Sequence, residues 1–596
     1  SIIRELGKVF GLPKEEIDKI VSTQYAGQEL HALTPKLMKY GALIKDFPNY
    51  LSIHAGGIII SHRPIYYHTA LKLMPKGFPI AHLDMYHAED LGYHKFDVLS
   101  QRGLGHIKDA VSLIKQNQGK AVDIHEVEKI MQDEKVRSQL RAAKCMGCFY
   151  IESPAMRGWF TKLRCDTYKQ LVAASSIIRP GVAKSGMMRE YIRRFHHPYA
   201  FKYLHETFET HLGETYGIMV YQEDVMKIVH HFAGLDLDES DVLRRIMSGK
   251  KAKGDTFERL KEKYFNNCKD RDYPPELIRE VWRQIESFSG YSFCKAHSAS
   301  YAVESFQSLY LKTYYPLEFM VAVINNFGGF YQTEYYFHEA MMAGGCIHST
   351  CVNHSIYITT IKGKDIYLGF IHLHQMERET ARRIIRQRMK NGAYRNLEDF
   401  INRVAISSEQ LDILIRIGAF RFTGKSKYEL MWEKNALFNP KEKFEASGWL
   451  FNDTGEKFEL PELEEGPFDQ AFDELELLGF PLCSPFELLE DKKAGQGCCR
   501  ATQLPQLINR QIDILGYYVC KKDVHTSNHK LMNFGTWLDE DGHFFDTTHF
   551  PNFLKRFPFR GKGIYRITGK VVEEFGFPSI EVIKMEKLNL VKDERY

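Results

Sequence analysis

A lysine and a carboxylate stand two residues apart in the stretch His94-Lys95-Phe96-Asp97. Residues two apart on a β-strand point to the same face, so Lys95 and Asp97 would lie side by side. A carboxylate in that position can hold Mg²⁺ while the ammonium group contacts a phosphate. The same spacing is typical of a surface ion pair on a strand, and the sequence leaves both interpretations open.

The richest cationic stretch begins at the adjacent pair Arg244 and Arg245. Residues 244–263 contain eight Lys or Arg against three Asp or Glu, and Lys250 and Lys251 lie among them. Neighbouring side chains on a helix point in different directions, so the two arginines can bind different oxygens of one ligand or different ligands. Guanidinium groups match phosphate oxygens, which favours a triphosphate. The alternative is a solvated helix face.

Two further stretches have the composition of phosphate-binding sites. Residues 179–194 carry five basic side chains and one acid across a Pro-Gly turn and a helix. This pattern is typical of contacts to a nucleic-acid backbone, or equally of a plain surface helix. Lys295 and His297 stand at the start of an apolar helical pattern, where main-chain N–H groups attract anions. A structural histidine is the alternative for His297.

Several common kinds of site are excluded. No P-loop, HExxH, serine elbow or GxGxxG motif occurs, which argues against the common nucleotidases, proteases, hydrolases and dehydrogenases. Cys145 and Cys148 lack a second pair at zinc-binding spacing, and the eleven scattered cysteines suit a reducing cytoplasm. No run of about 18 apolar residues exists to span a membrane. The net charge of +4 neither requires nor excludes a polyanionic partner.

The elements that must position these residues are mostly helical. After a helical segment at 1–52, apolar residues three and four apart predict helices at 126–143, 167–177, 222–233, 274–289 and 298–315. Residues 56–61 predict a buried strand after a glycine turn, and 91–100 partly alternates like a second strand. A β-hairpin is predicted at 355–370, with helices following at 377–390 and 407–417.

The C-terminal part changes character twice. Residues 453–476 hold ten acidic residues and one lysine, with Pro and Gly among them, which is typical of a surface linker. From 510 onwards, about five short β-rich segments alternate with turns and predict a small barrel such as an OB-fold. Four of these segments are 512–520, 531–538, 563–572 and 579–584. The length of 596 residues suits about four domains.

Six short motifs follow one another along the chain: SIHAGGIIIS at 52–61, KFD at 95–97, FYIES at 149–153, YGIMVYQE at 216–223, LRR at 243–245 and FCKAHSASY at 293–301. In wording and order they resemble the bacterial DNA polymerase III alpha family, the C-family of replicative polymerases. The resemblance runs from about residue 1 to the C-terminus and is weaker across 425–510. A short thumb and the stop at Tyr596 resemble the shorter alpha subunits used in error-prone or accessory synthesis.

The resemblance implies a multidomain α+β fold. It comprises a partial polymerase beta-like palm, a thumb, large and mainly helical fingers, a helix-hairpin-helix region and a C-terminal OB-fold β-barrel. The implied boundaries are the end of the first palm segment at 1–9, the thumb at 10–52, the second palm segment at 53–102, the fingers at 103–350, the helix-hairpin-helix region at 351–430, a linker with the acidic stretch at 431–510 and the OB-fold at 511–596.

The resemblance also implies nucleotide transfer from a dNTP to a primer 3′-hydroxyl, directed by a DNA template, in bacterial replication or lesion bypass. The family binds two Mg²⁺ ions through three palm carboxylates, of which Asp97 matches the third, with Lys95 beside it as a catalytic contact to the triphosphate. The Asp-x-Asp motif of the other two is not found ahead of the segment matching residues 2–8. The chain is therefore expected to be an N-terminally truncated piece that does not extend DNA alone, because one carboxylate cannot place two ions.

Further roles carry over position by position. The implied nucleotide-binding residues are Arg244, Arg245, Lys295 and His297, and the implied DNA-binding residues are Arg179, Lys184, Arg193, Arg194, Lys250 and Lys251. The family's Lys-Gly-x-Gly hairpin is replaced here by IHLHQM at 371–376, so this first hairpin is expected to bind DNA poorly. The second hairpin, IGAF at 417–420, keeps the family wording.

The implied partners are primer–template DNA, dNTP and a sliding clamp, with no membrane, in a cytoplasmic and nucleoid-associated protein. A clamp-binding motif would read Gln-x-x-Leu-Phe. The stretch SGWLF at 447–451 keeps only its apolar end, which makes Leu450 and Phe451 the clamp-binding candidates. The alternative to a polymerase piece is a non-catalytic DNA-binding fragment. The gene sequence upstream of Ser1 would discriminate the two.

Overall fold

Pro13 immediately precedes a helix that starts at Lys14, as the Leu-Pro-Lys-Glu-Glu pattern predicts. In this computed structural model, the described residues are 2–23, 32–47, 50–178, 186–247, 255–286, 294–437, 465–526, 528, 530–593 and 595. They form two units, Ser1–Gln101 and Arg102–Tyr596, each described by itself below.

The first unit combines short helices with two small antiparallel sheets. Its helices are α1 (Ile2–Val9), α2 (Lys14–Thr23), α3 (Thr34–Leu43) and α4 (Met85–Asp90). Its strands are β1 (Gly57–Ile59), β2 (Leu71–Leu73), β3 (Pro79–Ala81) and β4 (Lys95–Asp97), with β1 paired to β4 and β2 to β3. Helices α2 and α3 both pack against α1, where Gly7 lets the Ile17 side chain approach closely.

Both strands predicted in this unit form, but they are shorter and more exposed than expected. Ile58 and Ile60 are 50% and 62% exposed, so the prediction of a buried strand is wrong. The physical reason is that β1 has β4 as its sole partner strand among the described residues. A two-stranded ribbon covers neither of its own faces. The second strand occupies 95–97 of the predicted 91–100.

The second unit opens with a large helical region, as the apolar spacing predicts. Its helices are α5 (Arg102–Gln118), α6 (Val127–Gln132), α7 (Glu134–Arg141), α8 (Pro154–Leu163), α9 (Tyr168–Ile177), α10 (Met187–His196), α11 (Glu206–Leu212), α12 (Gln222–His231), α13 (Leu237–Met247), α14 (Thr256–Asp270), α15 (Pro275–Glu286), α16 (Lys295–Tyr314), α17 (Pro316–Asn325) and α18 (Thr333–Met342). The segment predicted as one helix at 126–143 is two, because the Asp133 carboxylate caps α7 by accepting the Val136 N–H at 3.0 Å.

Helix α16 is the centre of this region. It packs against α5, α6, α7, α9 and α17. Its buried face is rich in small residues, which let neighbouring helices come close: Ser298 Oγ lies 2.6 Å from Ser176 Oγ, and Ser305 Oγ donates to the Phe149 carbonyl at 3.0 Å. Amphipathic period and small residues together explain why so long a helix sits inside the core.

A three-stranded sheet and a second group of helices follow. The strands are β5 (Cys346–His348), β6 (Thr360–Lys362) and β7 (Asp365–Tyr367), and the helices are α19 (Arg378–Asn391), α20 (Leu397–Arg403), α21 (Ser408–Arg416), α22 (Lys427–Leu437) and α23 (Asp469–Leu477). The predicted hairpin is confirmed as the antiparallel pair β6–β7, to which β5 adds in parallel. The helices predicted at 377–390 and 407–417 are confirmed as α19 and α21, whereas α20 was not predicted.

The prediction of a surface linker at 453–476 is wrong for its described part. Residues 469–477 form helix α23, and Asp473 is 1% exposed. Three cations surround that carboxylate: Arg416 at 2.8 Å, Lys427 at 2.6 Å and Arg595 at 2.9 Å. The acidic residues are buried because partners from distant parts of the chain compensate their charge. Residues 453–464 lie outside the described residues.

The C-terminal β-rich part closes into a five-stranded barrel, which confirms the predicted small barrel. Its strands are β8 (Gln511–His525), β9 (Leu531–Leu538), β10 (Phe544–His549), β11 (Ile564–Glu574) and β12 (Phe577–Lys587), and helix α24 (Pro551–Arg556) lies between β10 and β11. The order around the barrel is β10-β12-β11-β8-β9, closed by the β9–β10 pair. The five-stranded closed arrangement fits the OB-fold.

The described part of the chain has no helix that is both long enough and apolar enough to cross a membrane. Cys145 and Cys148 are buried and carry no disulfide. Burial raises the pKa of the Cys145 thiol to about 12.

Candidate active site and nucleic-acid interface

Lys95 and Asp97 lie side by side on β4, with Asp97 opposite Gly57 and Lys95 opposite Ile59 of β1. Lys95 Nζ lies 3.0 Å from Asp97 Oδ1, and the two side chains are 22% and 47% exposed. The shared face that the spacing predicts is therefore present. Because Asp97 remains accessible, its oxygens are able to bind a divalent cation as well as the ammonium group.

His54 borders this pair through the turn that precedes β1. Its Nδ1 accepts the main-chain N–H groups of Gly56 and Gly57 at 3.1 and 2.6 Å. A nitrogen that accepts hydrogen bonds carries no proton, so Nδ1 is unprotonated and its 3.9 Å approach to Asp97 Oδ1 is not an ion pair. A Cβ at Gly57 would lie 2.8 Å from this nitrogen, which explains the glycine.

Asp97 belongs to no group of three or more metal-ligating side chains among the described residues, where Asp539, Asp541 and His543 form the only such group. In that barrel turn, Asp539 accepts the main-chain N–H groups of Asp541 and His543 at 3.1 and 2.7 Å. Its oxygens thus already stabilise the turn. The described residues therefore offer Asp97 as one oxygen ligand for a metal and no complete two-metal set.

Arg244 and Arg245 converge on one carboxylate, that of Asp241 on the same helix. Arg244 Nη2 lies 2.7 Å from Asp241 Oδ1, whereas Arg245 Nε lies 2.8 Å from Oδ2. The Arg244 hydrogen bond is the main reason why the pKa of Asp241 is lowered. The two guanidinium groups thus serve different oxygens of one ligand, as adjacent helix positions permit. Spacings of three and four residues could have identified Asp241.

Lys295 lies close to the same region through the start of α12. Gln222 Oε1 accepts from Arg244 Nη1 at 2.8 Å, and the Glu223 carboxylate accepts the Lys295 main-chain N–H at 3.1 and 3.0 Å. The Lys295 ammonium group binds Glu214 Oε2 at 2.5 Å. A carboxylate therefore occupies the anion-attracting start of α16. Glu223 lies 72 residues from Lys295, and no local spacing reveals this contact.

His297 packs in an aromatic group one turn into the same helix. Its ring lies 4.2 Å from Tyr301 and 6.4 Å from Tyr150, both in edge-on geometry. The ring is partly buried. Tyr150 and Tyr301 belong to two of the six sequence motifs, so the structure brings those motifs together around His297.

Arg193 and Arg194, predicted to contact DNA, share the Glu190 carboxylate. Arg193 Nη2 and Arg194 Nε lie 2.6 and 2.8 Å from Glu190 Oε1. The Arg193 hydrogen bond contributes most to lowering the pKa of Glu190 to about 2. Arg194 is 14% exposed and also donates to the Tyr216 carbonyl at 2.8 Å, whereas Arg193 is 51% exposed. Arg193 is thus the more accessible of the two.

Six of the residues selected from the sequence lie outside the described residues: Arg179, Lys184, Lys250, Lys251, Leu450 and Phe451. Their roles stay predictions.

Helix α23 contacts the first hairpin of the helix-hairpin-helix region through its last carbonyl groups, and its Gln470 side chain lies 3.5 Å from the Ile417 carbonyl of the second. At 371–376, the His374 N–H donates to the Leu477 carbonyl at 2.7 Å, and His374 Nδ1 lies 3.0 Å from the Glu476 carbonyl. At 417–420, the Gly418 and Ala419 N–H groups donate to Ile415 and Leu414 at 3.0 and 2.9 Å. The His374, Gly418 and Ala419 N–H groups are therefore already hydrogen-bonded within the chain.

The start of α22, just after the second hairpin, is also occupied by acids. The Lys427 N–H donates to Glu465 Oε1 at 2.8 Å, and Lys427 Nζ binds Asp473 Oδ2 at 2.6 Å. Tyr428 donates its hydroxyl to Asp469 Oδ2 at 2.5 Å. Carboxylates thus fill positions at a helix start that suit phosphate oxygens.

Three family models match consecutive parts of the chain. They are the bacterial DNA polymerase III alpha NTPase domain at 1–100, the bacterial DNA polymerase III alpha subunit finger domain at 103–272 and a helix-hairpin-helix motif at 344–430. The chain belongs to the bacterial DNA polymerase III alpha family. Lys95 and Asp97 lie within the first match, and Arg193, Arg194, Arg244 and Arg245 lie within the second.

Curated relatives agree with this family. The chain is 32% identical to the DNA polymerase III subunit alpha of Aquifex aeolicus, over 74% of this chain and 39% of the relative. It is 28% identical to that of Bacillus subtilis, over 91% and 51%, and 30% identical to the error-prone DNA polymerase of Vibrio parahaemolyticus, over 72% and 44%. The chain thus spans about half or less of these polymerase III alpha relatives.

Proposed function

We propose that this chain contributes to a DNA polymerase that transfers nucleotides from dNTP to a primer 3′-hydroxyl under the direction of a DNA template. The observation that carries the proposal is the accessible Lys95–Asp97 pair, 3.0 Å apart, within the part that resembles the polymerase III alpha NTPase domain. The relatives' names support the reaction class, in replication or in error-prone synthesis.

Asp97 would supply one oxygen ligand to the divalent ions, which we take to be Mg²⁺. When bound, two such ions activate the primer hydroxyl and neutralise the triphosphate. The site fits this role in part, because its carboxylate is half exposed but belongs to no group of three or more metal-ligating side chains among the described residues. We propose that the remaining ligands belong to a longer protein, since the relatives are about twice as long.

Lys95 would exchange partners in this reaction. In the structure its ammonium group binds Asp97. Lys95 would be available to a triphosphate oxygen when Asp97 serves as a metal ligand and no longer as its ion-pair partner. His54 holds the adjacent turn in place through the two N–H groups it accepts.

Arg244, Arg245 and Lys295 would bind the incoming triphosphate, with His297 in the same pocket. The support is the contact of both arginines with separate oxygens of one carboxylate, because a phosphate group offers the same kind of paired oxygens. The triphosphate would replace Asp241 as their partner. Arg193 would contact the DNA backbone, in line with its exposure.

The remaining sequence predictions stand as part of this proposal. We keep the palm segments at 1–9 and 53–102, the thumb at 10–52 and the fingers at 103–350. Clamp binding through Leu450 and Phe451 also remains proposed. Failure of a peptide spanning 440–458 to bind a purified sliding clamp in a titration would remove it.

Primer extension tests the proposed reaction. The 596-residue chain should show no extension with Mg²⁺ and dNTP, whereas a version that includes the family's Asp-x-Asp segment ahead of Ser1 should extend. In that longer version, Asp97→Asn should abolish extension while a control, Asp109→Asn, should not. Extension by the 596-residue chain at matched enzyme concentration, or normal extension by Asp97→Asn, would contradict the proposal.

A second candidate is DNA binding without catalysis. The helix-hairpin-helix match at 344–430 and the OB-like barrel favour it, because both kinds of module commonly contact nucleic acid. Duplex binding by a longer version that never extends a primer would support this candidate over the polymerase.

A further inference from the structure

Helix α19 is the most basic helix of the helix-hairpin-helix region. It carries six cations and one acid, Glu379. Some of the cations have structural partners: Arg388 donates to the Val352 and Ser355 carbonyls at 2.6 and 2.8 Å, and Arg383 donates to Thr380 Oγ1 at 2.8 Å. Arg388 thus holds the helix onto the domain, whereas the Arg383 contact lies within the helix itself.

The other side of α19 presents a basic stripe, formed by Arg382, Arg386 and Lys390. All three are exposed and lie four residues apart, which places them on one face of the helix. With Ile385 and Met389 they line an open, shallow depression of about 620 Å³. Met389 is 81% exposed within it.

The stripe differs from the other proposed phosphate-binding cations in its lack of close acids. Across the described ranges of the chain, Arg386 and Lys390 have no acidic partner, and Arg382 has only Glu379, at 3.6 Å. By contrast, Arg245 and Lys295 each hold a carboxylate at 2.8 Å or less. Binding a new anion at Arg386 and Lys390 therefore displaces no existing ion pair.

The hairpins leave little room for the usual main-chain contacts to phosphate. In the first hairpin, the His374 N–H donates to a carbonyl of helix α23. After the second hairpin, the Lys427 N–H donates to the Glu465 carboxylate. The His374 and Lys427 N–H groups are therefore not free to bind phosphate.

We propose that the basic stripe Arg382–Arg386–Lys390 binds the sugar-phosphate backbone of duplex DNA. The inference rests on the proposed function, which makes primer–template duplex the substrate. The three cations span about 12 Å along the helix. One strand of duplex DNA presents a phosphate about every 3.4 Å of axis, and the strand also winds around that axis, so neighbouring phosphates lie farther apart than this. A stripe of this length therefore faces about two phosphates. Met389 contacts the sugars between them.

The test compares two charge-reversed variants of the full 596-residue chain. One carries Arg386→Glu and Lys390→Glu. The matched control carries Lys108→Glu and Lys115→Glu, which reverses two exposed lysines seven residues apart on α5. Binding to a fluorescent primer–template duplex is titrated at several salt concentrations, and thermal unfolding verifies that both variants are folded.

The stripe variant should bind duplex at least tenfold more weakly than wild type, and the slope of log K against log salt should shrink by about two. The control should bind like wild type. Wild-type affinity in the stripe variant, or an equal loss in the control, would overturn DNA binding by the stripe and leave the proposed function unaffected. A wild-type chain that binds no duplex would overturn the proposed DNA binding together with it. Should the charge reversals unfold the chain, Arg386→Ala with Lys390→Ala replaces them under the same criteria.

Discussion

Single carboxylates hold the cations that are proposed to bind phosphate. Asp97 holds Lys95, Asp241 holds Arg244 and Arg245, Glu214 holds Lys295, and Glu190 holds Arg193 and Arg194. Such pairs fix the cations in place before a ligand arrives, but the ligand must displace the acid. Accessible pairs of this kind are individually weak, which makes the exchange feasible.

Arg245→Ala should weaken triphosphate binding by about tenfold, because one charge-assisted hydrogen bond is lost. The melting temperature should change little, since Arg245 is 59% exposed. Titration with dATP measures the affinity. Arg283→Ala removes an equally exposed arginine from a similar helix pair with Glu280 and serves as the control. Equal affinities of Arg245→Ala and wild type would contradict the assignment.

Glu304 offers a pH-dependent prediction. It is 6% exposed, its Oε1 has no hydrogen-bond partner among the described residues, and burial raises its pKa to about 7. Because the folded state holds the proton more tightly than the unfolded state, stability falls as pH rises from about 4.5 to about 7. The loss would be on the order of 3 kcal/mol.

Glu304→Gln removes that loss. The variant should be more stable than wild type at pH 8 and about equally stable at pH 4.5, as urea unfolding at the two pH values would show. The control is Glu280→Gln, because Arg283 lowers the pKa of Glu280 and the change should be small and of opposite sign. A pH-independent difference between Glu304→Gln and wild type would argue against this titration.

At the scale of elements, the periodicity of apolar residues predicts helices and strands correctly where the buried residues are apolar and the exposed ones polar. Helices α9, α12, α15 and α16 and strand β9 lie close to their predicted bounds because apolar residues face the core. Strand β10 was not predicted because its inward residues include Thr547 and His549, which bond to each other at 2.8 Å inside the barrel. Thr547 also accepts from Trp537 Nε1. Where the buried residues of a strand are polar, the sequence lacks the alternation of apolar residues by which a strand is predicted.

The prediction of a surface linker is wrong at helix α23 for a related reason. Its acidic composition predicts exposure, but the cations that neutralise Asp473 lie 46, 57 and 122 residues away. No window of sequence contains both sides of that cluster. The same limit applies to Glu223 and Lys295 in the candidate site, whereas Asp97, Arg244 and Arg245 were found through short motifs.

Asp473→Asn should destabilise the second unit by about 3–5 kcal/mol, because it leaves Arg416, Lys427 and Arg595 without their shared buried charge. Urea unfolding followed by circular dichroism measures the change. Glu379→Gln removes an exposed partner of Arg382 and should alter stability by less than about 1 kcal/mol. A loss no larger than that of Glu379→Gln would show that the cluster contributes little.

At the scale of the whole molecule, the barrel is continuous with the rest of the second unit. One hydrophobic core extends from Ile107 to Ile564. Polar contacts join α18 to the barrel: Tyr335 donates to the Tyr518 carbonyl at 2.7 Å, and Glu334 binds Lys562 at 2.7 Å. Each contact spans more than 180 residues, so the sequence predicted the barrel without showing what it packs against.

Residues 102–596 should therefore fold when expressed without 1–101. The shared core predicts a cooperative transition with a melting temperature within a few degrees of the same transition in the full chain. Calorimetry of both proteins measures this. The matched control, 102–510, lacks the barrel and should melt lower, because it loses the partners of α18. A molten or aggregated 102–596 would show that the second unit depends on the first.

The contacts of Lys427 with Glu465 and Asp473 also have a consequence for the continuity of the main chain. Lys427 binds Glu465 and Asp473, so the described residues on either side of 438–464 meet at one place. A break in the main chain within 438–464 would leave the Lys427–Asp473 ion pair and the Lys427 N–H hydrogen bond to Glu465 intact. Two separately synthesised polypeptides, ending and beginning in that interval, would therefore reassemble by fragment complementation, with Asp473 as the point of attachment.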